Sequence, residues 1–378
     1  MRRRICALIA TAAALWALGV APSGAAAVPY VKHVFIVTLE NEDASSTFGK
    51  KSKAPYLAHT LKQRGAFVPN YYGIAHNSLT NYVALVSGQS PNIQTQADCQ
   101  VYNDFAPGTP TSDGQYIGTG CVYPVGTLTL ANQLQDNGYR WKGYMEDENA
   151  AAPKGKQFPC RHPAIGQRDP WQNAEKGDQY ATRHNPFVYF HSIINFRTCK
   201  RHDVGYSHLR KDLRHRRTTP NYAFITPNLC HDGHDEPCVT GAPGGLVSVN
   251  RWLKAQMPRI LRSPGFKDRG LLILTFDEAE ATGSDADSSA CCNEQPGPNV
   301  IPPDTPGALT PGPGGGRVGA VMISPCIKPG TVTHHPYNHY SLLRSIERNF
   351  GLPYLGYAAQ RGLRPIGADV LNRPSCGR

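Results

Sequence analysis

Four polar clusters hold residue types that bind metal ions or act as nucleophiles, and they lie next to apolar runs of the chain. They are Glu40-Asn41, His76–Asn81, His231–Asp235 and Asp277-Glu278. Carboxylates and an amide oxygen form a hard, oxygen-rich ligand set that suits a divalent cation. Ser78 precedes a helical pattern, and a hydroxyl at a helix N-terminus lies where backbone N–H groups stabilise anions. Together these groups predict phosphoryl transfer, in which the hydroxyl attacks phosphorus beside the cation.

Each cluster by itself also has a structural interpretation. Glu40-Asn41 is typical of a turn or a helix N-cap, Ser78 of a helix cap, and Asp277-Glu278 of a solvated strand end. The cluster His231–Asp235 (HDGHD) is more informative, because two histidines and two aspartates within five residues seldom serve structure alone. The prediction of a catalytic site therefore depends on the joint occurrence of the four clusters.

Apolar runs of strand length precede three of these clusters. The runs are Val34–Leu39, Tyr222–Ile225, Leu271–Phe276 and, further on, Val318–Ile323. Helical patterns alternate with them at Tyr56–Arg64, Asn81–Val86, Leu128–Gln135, Leu246–Leu261 and Tyr340–Asn349. Continuous apolar runs indicate strands that are covered on both faces. The alternation predicts an α/β fold with a mostly parallel central sheet and helices on both faces. Ligands of such sheets bind outside the carboxyl ends of the strands, where the polar clusters lie.

Three stretches interrupt this alternation within the predicted catalytic domain, residues 28–378. Residues 89–127 and 147–215 are rich in polar, aromatic and turn residues, and we predict that they form loops or a cap above the sheet. Residues 283–316 are dominated by Gly, Pro, Ser and Asp. This third stretch is too long for an ordinary connection, and its composition fits a mobile lid and a plain surface loop equally well.

The N-terminus has the pattern of a secretory signal peptide over residues 1–27. Three arginines precede the apolar stretch Ile5–Val20, and Ala25-Ala26-Ala27 follows it. Cleavage after Ala27 would remove one of the 11 cysteines and leave an even number, which predicts up to five disulfides in a secreted, extracellular protein. Cys99 with Cys121 and Cys230 with Cys238 are close enough in sequence to close small loops.

Composition excludes several classes of protein. The chain has 378 residues, of which 40% are hydrophobic, so it can bury a large core and is not disordered. No apolar run after residue 27 is long enough to predict stable membrane insertion. The formal net charge of +11 favours anionic substrates. The densest basic cluster, Arg210–Arg217, is typical of a solvated helix face, so we predict no specific nucleic-acid partner.

Five segments occur in a fixed order along the chain. They are HVFIVTLENEDASSTFG (33–49), HNSLTNYVALVSGQSP (76–91), TPNLCHDGHD (226–235), ILTFDEAE (273–280), and RVGAVMISPCIKPG with YNHYSLLRSIERNFGL (317–352). In this order they resemble the bacterial phosphoesterase family, which includes secreted acid phosphatases and phospholipases C. The resemblance extends over nearly the whole chain after residue 27, and the spacing is most similar to that of the compact acid phosphatases.

The resemblance implies an alkaline-phosphatase-like core with a serine or threonine nucleophile at the start of a helix. It implies that Ser78 is the nucleophile, with Asn81 and His234 contacting the phosphoryl group. Metal binding is implied for Glu40, Asn41, Ser78, Asp277 and Glu278, and substrate binding for Asn81, His76, Asp232, Asp235 and His339. One divalent metal ion is expected, and the ligand types leave Ca, Mg, Mn, Zn and Fe open. Thr80 is an alternative nucleophile, because it lies two residues from Ser78.

Two segments depart from the family pattern. Family members usually carry Asn-Asp before the middle histidine, whereas this chain has His231-Asp232, so the role of position 231 is open. After Glu40-Asn41 the chain reads Glu42-Asp43-Ala44, where phospholipases C commonly have Arg-Ser-Phe. The second departure argues against the phospholipase branch.

The sequence therefore predicts a secreted, metal-dependent acid phosphatase that hydrolyses phosphate monoesters through a phosphoseryl intermediate. If a pocket histidine such as His234 protonates the leaving alcohol, the optimum should be acidic, because imidazole is charged mainly below neutrality. One alternative is a phosphodiesterase of the phospholipase C type, with the same core and a wider, more apolar groove. Another is a non-catalytic extracellular binding protein, which would lack one of the expected ligands. Oligomeric state and natural substrate are not fixed by the sequence.

Overall fold

The computed structural model describes residues 28–154, 156–283, 286–300, 314–374 and 376. The predicted signal peptide, residues 1–27, lies outside the described residues, and so do parts of the 283–316 stretch. In the described part of the chain no helix combines the length and apolar character needed to cross a bilayer.

The strands of the described residues form a central sheet of eight strands and two small two-stranded sheets. They are β1 (His33–Leu39), β2 (Ala66–Val68), β3 (Tyr71–Tyr72), β4 (Ala106–Pro110), β5 (Tyr116–Thr119), β6 (Trp141–Met145), β7 (Asp203–Gly205), β8 (Tyr222–Thr226), β9 (Gly270–Phe276), β10 (Ala320–Ile323), β11 (Thr331–Val332) and β12 (Tyr337–Asn338). The order in the central sheet is β11-β2-β10-β9-β1-β8-β6-β7. The strand β10 runs antiparallel to β9 and β2, and the other neighbours in this sheet are parallel. The predicted α/β fold with a mostly parallel sheet is confirmed.

The α-helices surround this sheet. They are α1 (Ala44–Phe48), α2 (Ser78–Ser87), α3 (Leu130–Asp136), α4 (His191–Ile194), α5 (Arg197–His202), α6 (Ser207–Asp212), α7 (Gly245–Arg262), α8 (Pro264–Lys267) and α9 (His339–Phe350). A π-helix covers Tyr56–Leu61, and 3-10 turns cover Thr182–His184, Pro186–Tyr189 and Gly356–Ala359. The predicted helices therefore agree with the structure to within a few residues, except that the first is a short π-helix.

The middle of the sheet is fully buried because its strands are apolar on both faces. Every residue of β1, β8 and β9 is buried. The strand β1 pairs in parallel with β8 on one side and β9 on the other, and Leu39 is opposite Phe276. As a result, Glu40 and Asp277, the residues that follow these two, leave the sheet side by side.

The stretches that interrupt the alternation contain more regular structure than their composition predicts. Residues 89–127 include the antiparallel β4-β5 hairpin. Residues 147–215 supply α4, α5, α6 and also β7, which is the edge strand beside β6. The prediction that this second stretch consists only of loops or a cap is therefore wrong for residues 203–205, which extend the sheet itself.

Disulfides link the described cysteines in pairs. They are Cys99–Cys121, Cys160–Cys199, Cys230–Cys238, Cys291–Cys292 and Cys326–Cys376. The two pairings that sequence distance suggested are both present. The first three bonds close loops that rise from the carboxyl end of the sheet, where the polar clusters lie.

Candidate active site

The centre of the site is a hydrogen bond between the end of β1 and the start of α2. Glu40 follows β1 and is fully buried. Ser78 is the first residue of α2, and its Oγ donates to Glu40 Oε2 at 2.7 Å. One turn further on, the Tyr82 hydroxyl donates to Glu40 Oε1 at 2.5 Å. Both oxygens of one carboxylate therefore fix the N-terminal turn of α2 against the strand.

Asp277 lies next to Glu40 because β9 is the neighbour of β1. Its backbone N–H donates to the Leu39 carbonyl at 2.9 Å, and its Oδ1 accepts from the Asn41 N–H at 3.3 Å. Burial raises the pKa of Asp277 to about 7, and hydrogen bonds, one of them from Ser78, offset only part of this increase. The Ser78 hydroxyl, which donates to Glu40, therefore also lies close to Asp277.

Glu278 faces the loop that leads into α2. Its Oε2 is 2.7 Å from His76 Nδ1 and accepts from the Asn77 N–H at 2.9 Å. His76 Nε2 is in turn 2.9 Å from the Ser288 hydroxyl. His76 is buried with both ring nitrogens engaged, so its position is that of a support for Glu278. The predicted contact between His76 and substrate is not what this geometry favours.

A histidine that the sequence analysis missed lies between two buried carboxylates. His184 Nε2 is 3.3 Å from Glu40 Oε2, and Nδ1 is 3.2 Å from Asp232 Oδ2. The ring also stacks on Tyr82, with 5.3 Å between ring centroids. His184 comes from the 147–215 stretch, and the local signal is a basic pair, Arg183-His184, one residue before the apolar run Pro186–Phe190.

The loop after β8 brings Asp232, His234 and Asp235 to the site. It can approach β1 because Gly233 has φ +113°, and a Cβ atom there would lie 2.9 Å from the Glu40 carbonyl oxygen. Asp232 Oδ1 accepts from the His234 N–H at 2.9 Å. His234 Nδ1 is 2.9 Å from Asp235 Oδ1. The loop thus places these three residues next to the end of β1.

His234 makes a second contact that determines its protonation. Its Nε2 is 2.9 Å from Arg183 Nη2, and a guanidinium can only donate. The Nε2 atom therefore accepts this hydrogen bond and carries no proton, while Nδ1 holds the proton that faces Asp235. In this arrangement His234 has no proton to give to a leaving group, so the geometry does not support its predicted role as an acid.

Two other predicted site residues are occupied by structural hydrogen bonds. Asn81 Oδ1 accepts from the Ile74 and Ala75 N–H groups at 2.7 and 3.3 Å, and its Nδ2 donates to the Ala75 carbonyl at 2.7 Å. This corrects its role: Asn81 shapes the loop before α2, and its amide is not directed at a phosphoryl group. His339 Nε2 is 2.6 Å from the Asp277 carbonyl oxygen and Nδ1 is 3.1 Å from the Tyr71 hydroxyl, and burial lowers its pKa to about 4. His339 is therefore a neutral support of the Asp277 backbone and does not face substrate.

The buried carboxylates raise one another's pKa. For Glu40 the largest cause is burial, followed by the charges of Asp277 and Asp232. For Asp232 burial again comes first, partly offset by the His234 N–H and by Arg183. An electropositive group among these side chains would relieve both effects.

The side chains at this place fit a divalent cation. Asp277 Oδ2 and Asn41 Oδ1 are buried and have no hydrogen-bond partner among the described residues. Buried oxygen atoms normally have partners, and carboxylate and amide oxygens are the ligands that hard cations take. Ligand atoms of Glu40, His184 and Asp232 also lie within 4.8 Å of one another. Candidate metal-binding groups are therefore present, with oxygen donors in the majority.

The turn that carries Arg183 and His184 is anchored to a buried pair of acids. Asn185 Nδ2 donates to Asp203 Oδ2 at 2.8 Å, and Asp203 is paired with Glu148. Burial raises the pKa of Asp203 to about 7, and burial together with the Asp203 charge raises the pKa of Glu148 well above its usual range. Two adjacent acids in this state share a proton. The anchoring of the turn that carries His184 therefore depends on the protonation of Asp203 and Glu148.

Residues 50–353 match the sequence model of the Phosphoesterase family. The chain is 25% identical over 329 residues to a probable acid phosphatase of Kluyveromyces lactis, covering 86% of this chain and 59% of the yeast protein. It is 24% identical over 299 residues to a phosphate-repressible acid phosphatase of Penicillium chrysogenum, covering 78% and 54%. It is also 24% identical over 353 residues to a phosphatidylinositol-3-phosphatase of Mycobacterium tuberculosis, covering 93% and 88%. The chain thus spans a little over half the length of these fungal relatives.

Among solved structures, a protein of the alkaline phosphatase superfamily from Vibrio parahaemolyticus superposes with a TM-score of 0.49. The two chains are 13% identical, and the superposition covers 90% of this chain and 72% of the other. The sulfatase PsFucS1 from a Pseudoalteromonas species gives a TM-score of 0.48 at 12% identity, with coverage of 92% and 73%.

The shared proton of Asp203 and Glu148 predicts how stability depends on pH. The native pKa of Asp203, about 7, lies above the value near 4 of an unfolded aspartate, so the native state retains a proton that the unfolded state loses. The free energy of unfolding should therefore fall between about pH 4 and about pH 7. The Asp203→Asn variant keeps the neutral state, so relative to wild type it should gain about 4 kcal/mol across this range in urea unfolding.

Asp136→Asn is the matched control, because it removes an exposed aspartate. Its difference from wild type should be the same at every pH. A difference between Asp203→Asn and wild type that is equally independent of pH would contradict the shared proton.

Proposed function

The chain belongs to the Phosphoesterase family, and on that premise we propose that it is a secreted, metal-dependent phosphomonoesterase that forms a phosphoseryl intermediate on Ser78. The observation that supports this most directly is the position of the Ser78 hydroxyl. It lies at the start of α2 and donates to Glu40 Oε2 at 2.7 Å, and it is close enough to Asp277 to lower the pKa of that carboxyl. A hydroxyl held between two buried carboxylates beside a helix N-terminus is placed to attack an anionic phosphorus centre.

The residues proposed to hold the cation are Glu40, Asn41, Ser78, Asp277 and Glu278. When bound there, a divalent cation would stabilise the serine alkoxide and the charge on the transferring phosphoryl group. The support for this set is the pair of buried oxygens without partners, Asp277 Oδ2 and Asn41 Oδ1, in the described part of the site. Glu278 contributes less directly, since one of its oxygens is committed to His76 and the Asn77 N–H.

In the first step Ser78 Oγ forms a bond to phosphorus, and the ester oxygen leaves with its electron pair. The hydroxyl proton passes along the existing hydrogen bond towards Glu40. The Arg183 guanidinium lies next to His234 and is buried, so it can offset charge on the equatorial oxygens. In the second step water attacks the phosphorus of phosphoserine from the vacated side and releases inorganic phosphate, which restores the Ser78 hydroxyl.

The substrates proposed are phosphate monoesters. The fungal relatives are named acid phosphatases, and the mycobacterial relative, which the chain matches along most of its length, is named a phosphatidylinositol-3-phosphatase. Each of these names denotes an enzyme that removes phosphate from a phosphate monoester. The acidic optimum remains a prediction, and a group other than His234 must supply the proton if it holds.

The hydroxyls of Ser78 and Thr80, near the start of α2, have different surroundings. The structure therefore favours Ser78 over Thr80 as the nucleophile. The Thr80 hydroxyl donates to Thr95 Oγ1 at 3.1 Å and is buried against the 89–127 stretch. We expect Ser78→Ala to lower kcat for an aryl phosphate by about 1,000-fold or more, and Thr80→Ala by less than about tenfold. Rates measured on folded, metal-loaded variants test this. The reverse ranking would assign the nucleophile to Thr80.

Removing divalent cations should abolish hydrolysis and lower the melting temperature. A ligand that binds only the native state stabilises it by about 2.7 kcal/mol at 100 times its Kd, so returning the correct cation should raise the melting temperature. Asp277→Asn should lose this increase, whereas Asp136→Asn should keep it. Activity that survives chelation, together with a melting temperature that none of Ca, Mg, Mn, Zn and Fe alters, would contradict a metal-dependent enzyme.

Substrate preference separates the proposed enzyme from a phospholipase. Hydrolysis of an aryl phosphate and of phosphatidylinositol 3-phosphate should each exceed hydrolysis of phosphatidylcholine by at least about 100-fold, since only the first two present a terminal phosphate dianion. Phosphate release and diacylglycerol release are measured side by side on the same preparation. Turnover of phosphatidylcholine with little monoester hydrolysis would favour the phosphodiesterase alternative.

A further inference from the structure

An acidic side chain that the proposed reaction does not use lies beside the nucleophile. Asp98 Oδ1 accepts a hydrogen bond from the Leu79 backbone N–H at 3.0 Å. Leu79 directly follows Ser78, so this carboxylate lies at the N-terminus of α2, one residue from the attacking hydroxyl. On its other side, Asp98 Oδ2 is 3.7 Å from Arg183 Nε. Asp98 thus bridges an N-terminal N–H of α2 and a buried guanidinium.

These two groups are also the ones that suit the oxygens of a phosphoryl group on Ser78. Backbone N–H groups at a helix N-terminus bind phosphate oxygens, and a guanidinium does so as a planar cation. Arg183 is held in place from two further directions, by His234 Nε2 at 2.9 Å and by the carbonyl oxygen of Gln172. Its guanidinium is therefore pre-positioned, and what it faces in the free protein is the carboxylate of Asp98.

We propose that Asp98 occupies the position of a phosphate oxygen in the free enzyme and moves aside when phosphate binds, so that it limits the affinity of the site for phosphate. The inference rests on the proposed function, because it places the phosphoryl group of the substrate between Leu79 and Arg183. A carboxylate and a phosphate dianion cannot share the same two groups without strong repulsion. Return of the carboxylate would favour release of inorganic phosphate after each turnover.

The surroundings of Asp98 permit such a movement of the side chain alone. The side chain is 21% exposed, so it has room on the side that faces solvent. The backbone is fixed independently: the Asp98 carbonyl accepts from Gln172 Nε2 at 2.9 Å, and the next residue, Cys99, is bonded to Cys121. The carboxylate can therefore leave the N–H and the guanidinium while the loop stays in place.

The test measures phosphate affinity in Asp98→Asn, with the metal-loaded protein and inorganic phosphate as the probe. Asp98 has φ +52°, a left-handed conformation that Asn also adopts readily, so the variant keeps the backbone and removes only the charge. We expect the Kd for phosphate, from calorimetric titration, and KM for an aryl phosphate both to fall about tenfold. The value of kcat should not rise, because tighter product binding slows release.

Asp104→Asn is the matched control, since Asp104 lies in the same stretch but pairs with His191 near the surface. It should leave the phosphate Kd unchanged. Asp98→Gly, which also tolerates the left-handed backbone, repeats the test if the Asn variant fails to fold, and it should tighten phosphate binding as well.

The outcomes separate this inference from the proposed function. If wild type hydrolyses phosphate monoesters but neither folded variant binds phosphate more tightly, the inference about Asp98 alone is wrong. A lower kcat with unchanged KM and Kd would likewise overturn it and point instead to a chemical role for the carboxylate. If wild type neither hydrolyses esters nor binds phosphate, both the inference and the proposed function are wrong.

Discussion

Three carboxylates buried at the carboxyl end of the sheet are the constraint on which the site depends. Glu40, Asp232 and Asp277 follow or lie just beyond β1, β8 and β9, and all three are fully buried. Burying unpaired carboxylates is costly, and each one raises the pKa of its neighbours, so the fold must surround them with donors or positive charge. The hydroxyls of Ser78 and Tyr82 supply part of this compensation at Glu40, and His184 Nδ1, 3.2 Å from Asp232 Oδ2, supplies part of it at Asp232. A divalent cation would supply the remainder. The buried carboxylates that destabilise the fold are therefore also the groups that would give the site its affinity for a metal.

Disulfides close or border three of the loops that carry residues of the site. Cys230–Cys238 encloses the segment with Asp232 and His234, with a sequence separation of 8. Cys160–Cys199 encloses the segment with Arg183 and His184, and Cys99–Cys121 begins at the residue after Asp98. Loops have few backbone hydrogen bonds of their own, and a cross-link reduces the conformations that they lose on folding. The disulfides therefore help to hold side chains from distant parts of the chain at hydrogen-bond distances.

The sequence was sufficient to predict the parts of the site that lie at strand ends. Apolar runs located β1 and β9, and a mostly parallel sheet places Glu40 and Asp277 at the same edge. That the two strands are direct neighbours is a finding of the structure. It was not sufficient for His184, because its contact with Glu40 spans more than a hundred residues and no periodicity marks a loop residue that folds back over the sheet. It also misjudged Asn81 and His339. A polar residue type shows only that hydrogen bonds are possible, and in both cases the backbone of the same site already takes them.

Three residues around the nucleophile have positive φ values, which favour their residue types. Asn41, Asn77 and Asp98 have φ values of +54°, +74° and +52°, which cost on the order of 1 kcal/mol or more for a residue with a side chain. Glycine would relieve this strain, but each side chain makes or offers a contact that glycine lacks. Asn41 presents a buried oxygen without a partner among the described residues, Asn77 donates to the Gln96 carbonyl, and Asp98 accepts from Leu79. Asparagine and aspartate tolerate this conformation best among residues with side chains. The buried sheet can offset a few kcal/mol of local strain, so the turns next to α2 and β1 can keep these polar side chains.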